Sequence, residues 1–90
     1  MERQLELQKY HYFHEGNTYT GQRTKNWETG LLMRYRVEPD QEASLLRAYA
    51  WTQDLCFERA QEKQEFQAPL TEEGLEQAAD WLEGLYQALE

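Results

Sequence analysis

The segment from Thr71 to Glu90 most constrains how this chain can fold, because it reads as an amphipathic helix that cannot stand alone. At about 100° per residue, Leu75, Ala78, Ala79, Leu82, Leu85, Tyr86 and Leu89 fall within one arc of roughly 120°. Glu72, Glu73, Glu76, Asp80, Glu83 and Glu90 fall on the opposite side, and the segment holds no Lys or Arg. One face therefore demands an apolar surface to lie on, while the other repels anions. The helix start is specified three ways. Thr71 can cap the first turn through its hydroxyl, Leu70 and Leu75 occupy the two positions of a hydrophobic staple, and Glu72 and Glu73 suit the positive end of the helix dipole.

The surface that receives this helix has to come from strands. Leu31 to Val37 alternates cleanly, with Leu31, Met33, Tyr35 and Val37 on one face and Leu32, Arg34 and Arg36 on the other. Glu38-Pro39-Asp40 is expected to break it, since Pro lacks the N–H that a ladder uses and Asp suits turns. Leu45 to Trp51 resumes the alternation, so the two strands should pair as an antiparallel hairpin. Upstream, Leu5 to Phe13 is rich in strand formers, Glu15-Gly16-Asn17 suits a tight turn, and Thr18 to Thr20 would return. The apolar phase slips inside that first strand, which calls for a bulge near Gln8-Lys9 or cover on both faces. Residues 21–30 read as a polar loop holding Trp27. Between Asp54 and Gln67, propensity favours a helix but the apolar spacing favours two short strands, about 55–59 and 63–67. The expected fold is α+β: an antiparallel β-meander of four to five strands with one C-terminal α-helix packed across one face, in a single domain over residues 1–90.

Ninety residues give room for one thin core, and the three Trp, six Tyr and three Phe must supply much of its area. The formal net charge of −8 is uneven. Residues 1–45 carry six bases and seven acids, whereas residues 46–90 carry three bases and ten acids. Such a field counts against non-specific binding to nucleic acid or anionic lipid and favours solubility or a basic partner. A single cysteine, Cys56, rules out an internal disulfide and fits a reducing compartment. With neither a signal-peptide pattern at Met1 nor an apolar run of the ~18 residues that span a bilayer, the expected location is cytoplasmic.

No phosphate loop, paired-carboxylate motif or nucleophile elbow is present, and no cofactor or metal site is expected. His11 and His14, the two histidines, would point to opposite faces of a strand, which does not suit a shared metal or a catalytic pair. Cys56 has no cationic neighbour closer in sequence than Arg59 and reads as a small buried hydrophobe. The sheet face offers more, and its character depends on register. With Val37 opposite Leu45, Tyr49 and Trp51 belong to the core and the Arg stems cover Ala48 and Ala50. One residue of slip turns Leu46, Ala48 and Ala50 inward, and Arg34, Arg36, Arg47, Tyr49 and Trp51 then share the outer face as a candidate binding surface. Trp27 either closes one end of the core or adds a second binding position. These features favour a non-enzymatic binding or interaction module whose partner is a protein, or a second copy of the chain in a homodimer. The alternatives are a nucleic-acid-binding sheet that exposes Arg and aromatic residues together, and a small enzyme using Cys56 or His11.

Overall fold

A sheet covered on one side by a helix is what the chain forms. The computed structural model describes residues 5, 7–52, 57–60 and 62–89. In chain order these give α1 (Tyr10–His14), β1 (Tyr19–Asn26), β2 (Leu31–Asp40), β3 (Leu45–Trp51), β4 (Gln64–Pro69) and α2 (Glu72–Gln87). The strands pair antiparallel in the order β1-β2-β3-β4, and α2 packs across β3 and β4. This is the expected α+β meander, with four strands.

The start of α2 follows its sequence closely. Gly74 N–H donates to Thr71 Oγ1 at 2.9 Å, and Leu70 and Leu75 both join the core. Leu75, Ala78, Leu82 and Tyr86 then meet Met33, Tyr35, Val37, Leu46, Ala48 and Ala50 from the sheet. The two alanines of β3 let the helix come close. Phe13, Met33, Leu46, Leu82 and Val37 are the largest fully buried side chains, each worth about 1.5–3 kcal/mol of burial. Glu83 departs from the expected solvated face. It is only 9% exposed, because the N-terminal segment crosses beside it: Leu5 N–H donates to its Oε1 at 3.3 Å and Gln87 Nε2 to its Oε2 at 3.1 Å.

The register lies three residues from the pairing of Val37 with Leu45. Val37 instead faces Ala48, Arg36 faces Tyr49 and Arg34 faces Trp51. An odd displacement has the same effect as a slip of one, so Leu46, Ala48 and Ala50 turn toward α2 while Arg34, Arg36, Arg47, Tyr49 and Trp51 lie on the outer face. The displacement arises because β2 does not stop at Val37. It runs through Pro39, which sits opposite Leu46. The ladder with β1 ends at Tyr19↔Val37, so Pro39 has a neighbouring strand on one side only and its missing N–H breaks no sheet bond on the other. Asp40 makes the turn as expected, accepting Ala43 N–H at 3.2 Å, and Ser44 takes a positive φ of 54°.

Three other expectations fail for physical reasons. The first expected strand is replaced by α1, which carries Phe13 into the core. The phase slip in the sequence marks a change of backbone rather than a bulge. The expected polar loop 21–30 is mostly strand: β1 continues to Asn26, its polar residues suit a sheet edge, and only residues 27–30 form the turn. There Asn26 Oδ1 accepts from Glu28 N–H at 2.9 Å, and Gly30 adopts φ 75°. Residues 57–59 form a turn rather than a strand or helix, while β4 matches the second of the two expected short strands. Residues 54–56 and 61 of that region, Cys56 included, lie outside the described residues.

Candidate functional site

The outer sheet face is laid out in cross-strand rows. Thr20, Arg36, Tyr49 and Glu65 form one row, and Gln22, Arg34 and Trp51 form the next. Exposed aromatics on a bare face would be costly, and the turn at residues 57–59 relieves this by laying Phe57 over them. Phe57 meets Tyr49 edge-on, with ring centroids 4.9 Å apart, and Trp51 at 5.8 Å. The Arg36 guanidinium carbon lies 4.4 Å from the Phe57 ring centroid and Lys63 Nζ 4.1 Å from it. Lys63 also donates to the Phe57 carbonyl at 2.8 Å, which fixes the segment in place. Trp51 is therefore only 5% exposed although it is on the outer face, and Tyr49 is half-buried.

Between this covering segment and β1 lies an open cleft of about 590 Å³. Arg34, Arg36, Trp51 and Phe57 line it together with Thr20, Gln22 and Glu58. Of the six residues expected to bind, Arg34, Arg36 and Trp51 meet here. Tyr49 lies under Phe57. Burial, with Glu65 accepting a hydrogen bond from its hydroxyl and Glu38 nearby, pushes the phenol up to about 12. Arg47 is engaged at the other end of the face: its Nη2 donates to Asp40 Oδ2 at 2.9 Å, and that bond holds the carboxyl below its ordinary value. Trp27 stands apart at the β1–β2 turn, 86% exposed, so it does not close the core. Phe57, Thr20, Gln22 and Glu58 were not singled out by sequence reasoning. The available signal was Phe57 itself, an aromatic residue closing the apolar triplet Leu55-Cys56-Phe57 shortly after a strand with two outward aromatics.

The cleft belongs to a hairpin of reversed charge. Residues 19–37 hold Arg23, Lys25, Arg34 and Arg36 against Glu28 alone, net +3, which leaves −11 for the rest of the chain. Arg36 Nη2 is bonded to Glu38 Oε2 at 3.2 Å, where the acidic part of β2 begins.

A second groove runs between the N-terminal segment and α2, with Lys9, His11 and His14 facing Glu72, Glu73 and Glu76. The histidines lie on α1 and not on a strand, and their polar contacts are local. His11 Nε2 is 2.8 Å from Glu15 Oε1, and His14 Nδ1 is 3.2 Å from Tyr10 Oη. Among the described residues no group of three His, Cys, Asp or Glu is placed to hold a metal, and no helix is long and apolar enough to cross a membrane. No protein-family model, curated protein or solved structure matches the chain.

Proposed function

We propose that the chain is a non-enzymatic interaction module that binds an acidic segment of a partner protein in the cleft on the outer sheet face. The observation carrying this reading is the meeting of Arg34 and Arg36 with Trp51 and Phe57 in one open cleft, on the positive hairpin of an otherwise acidic chain. Guanidinium groups take carboxylates through paired, charge-assisted hydrogen bonds, and the rings beside them give the apolar part of the same segment a wall. Trp27, at the tip of the hairpin, is open to a partner that extends past the cleft. A protein occupant is favoured over nucleic acid because base stacking needs open rings, and Trp51 is covered while Tyr49 is engaged by Glu65. Cytoplasmic location belongs to the same reading, resting on the single cysteine.

The test is selection from a random heptapeptide display library on the immobilised protein, run in parallel on an Arg36→Ala variant that retains a dispersed amide spectrum. The wild type should enrich sequences rich in Asp and Glu with interspersed apolar residues, and the variant should lose them. For the selected peptides, loss of one charge-assisted pair should weaken binding by about tenfold or more. In the labelled protein the Trp51 indole resonance should shift while that of Trp81 stays put. Enrichment of basic peptides, equal enrichment on both proteins, or no enrichment at all would overturn the reading.

A further inference from the structure

The cleft is bounded on one side by an edge strand. In the order β1-β2-β3-β4 no strand among the described residues lies beyond β1, so its outer N–H and C=O groups ahead of Thr24, whose carbonyl accepts from Tyr86 Oη at 3.5 Å, form a template for one more strand. Its eight residues contain no Pro, and its one irregularity, between Thr24 and Asn26, lies at the turn end. The opposite edge is a poorer template: β4 has six residues, ends in Pro69, and bears Glu65 as its one charge.

We infer that the partner segment is an extended acidic peptide that adds as a fifth strand along the outer edge of β1, with alternate carboxylates turned toward Arg34 and Arg36. This rests on the cleft reading and specifies its geometry. The cross-strand rows supply the argument. Thr20 pairs with Arg36 and Gln22 with Arg34, so residues of an added strand opposite Thr20 and Gln22 share rows with the two guanidiniums. They sit two strand spacings away, about 9–10 Å, across one small and one flexible side chain. A Glu reaching across Thr20 or Gln22 enters the cleft that Arg34 and Arg36 line, Arg36 being held there by Phe57 and Glu38. Alternation of side chains along a strand places every second residue of the peptide on this face, so the two arginines ask for two acids separated by one residue.

Charge also selects the occupant. Arg23 and Lys25 are the charged residues of β1. Arg23 shares the row of buried Met33 and Lys25 Nζ lies 4.6 Å from the Tyr86 ring, so both are on the helix-facing side, opposite Arg34 and Arg36. A second copy of the chain pairing β1 to β1 would gather four cations on that side of one short ladder, whereas an acidic strand brings no like charge to them and meets Arg34 and Arg36 on the outer face. The main-chain bonds supply affinity that does not depend on peptide sequence, and the Arg rows supply selectivity, as in other strand-addition complexes.

The probe is the synthetic peptide Ac-TEVEVET-NH2, titrated into the isotope-labelled full chain, with Ac-TKVKVKT-NH2 as the opposite-charge control. Two further versions carry N-methyl groups on alternate amides, one on each set. An added strand presents only one set of amides to β1. Methylation of that set should weaken binding by about tenfold or more, while methylation of the other should change it by less than about threefold. Amides of β1 should shift and gain exchange protection, and the Lys peptide should fail to bind. The inference is overturned if both methylated sets lose affinity equally, or if the Trp51 indole responds and β1 does not; the cleft reading survives either result. Silence at both β1 and Trp51 sinks the two together. Concentration-dependent protection of β1 without peptide, accompanied by a doubled mass, would make a second copy the occupant and also overturn the inference.

Discussion

Gly74 and Gly84 lie on the same helix, yet alanine at the two positions should have opposite effects. Gly74 is the third residue of α2, and its N–H bonds Thr71 Oγ1 at 2.9 Å. It rests against the last residue of β4. A methyl carbon there would fall inside the van der Waals shell of the Pro69 carbonyl oxygen and only 2.8 Å from its carbonyl carbon. These are backbone atoms, and Pro69 O is already bonded to Thr71 N–H at 2.9 Å, so no side-chain rotation relieves the overlap. The first turn would have to lift off the sheet, taking buried Leu75 and the cap with it. Overpacking costs about 1–3 kcal/mol and cap loss about 1 kcal/mol, against a helix-propensity gain of about 1 kcal/mol. The net effect of Gly74→Ala is a loss of about 1–3 kcal/mol. For a domain of this size that corresponds to a fall in Tm of about 4–24 °C. At Gly84, which is exposed, an added methyl meets nothing within 4 Å. Only propensity and unfolded-state entropy remain, so Gly84→Ala should gain about 0.5–1 kcal/mol, or about 2–8 °C. Urea and thermal unfolding followed by circular dichroism would measure both variants. A neutral or stabilising Gly74→Ala, or shifts of the same sign in both, would refute the close approach of α2 to Pro69.

Two further outcomes follow from the outer face and the hairpin tip. Tyr49, pushed up to about 12 from an ordinary 10.0, keeps its proton in the folded chain after the unfolded chain has lost it. Its contribution is therefore complete below pH 10 and fades as pH rises through about 12, so alkaline unfolding should shift in Tyr49→Phe, and that substitution should remove a late-titrating component of the phenolate absorbance. Trp27→Ala should change stability by no more than about 0.5 kcal/mol while removing most of the iodide-quenchable fluorescence; a larger loss of stability would place that ring in a packed position.

The clearest parts of the sequence were those in which local chemistry and tertiary demand agree. The Thr71 cap, the Leu70–Leu75 staple and the apolar arc of α2 all call for one helix, and β3 spans the predicted residues. Where the chain departs from expectation, a neighbour outside the local window decides. Pro39 stays in strand because β1 stops before reaching it. Gly21 belongs in β1 because the Tyr35 ring lies across it, where an added Cβ would come within 2.7 Å of that ring. Glu83 is buried because Leu5 arrives beside it from the far end of the chain. The candidate site was half legible for the same reason. Alternation put Arg34, Arg36, Tyr49 and Trp51 on one face, but the cover over Trp51 comes from Phe57, whose local pattern resembled a strand.

The proposed acidic ligand conflicts with a net charge of −8 only if that charge is treated as a single point. The molecule extends 41 × 32 × 17 Å, and at physiological ionic strength the field of an exposed charge decays over about 8 Å. Its long dimension therefore covers several screening lengths, and an incoming carboxylate responds mainly to the charges nearest the surface it meets. On the outer face of the β1–β2 ladder those are Arg34 and Arg36, with Glu38 where the ladder with β1 ends, while Arg23 and Lys25 lie on the other face, Lys25 Nζ being 4.6 Å from the Tyr86 ring of α2. Glu72, Glu73, Glu76 and Asp80 instead project from α2, which packs on the β3–β4 half of the opposite sheet face. In the proposed reading, screening lets the acidic helix face and the Arg34–Arg36 cleft act separately on an anionic segment. At low ionic strength, where the screening length grows to about 30 Å, the two fields merge and the net charge opposes the same ligand. The proposed selectivity is in this sense a property of the chain in salt, set by where the charges lie in the fold more than by their sum.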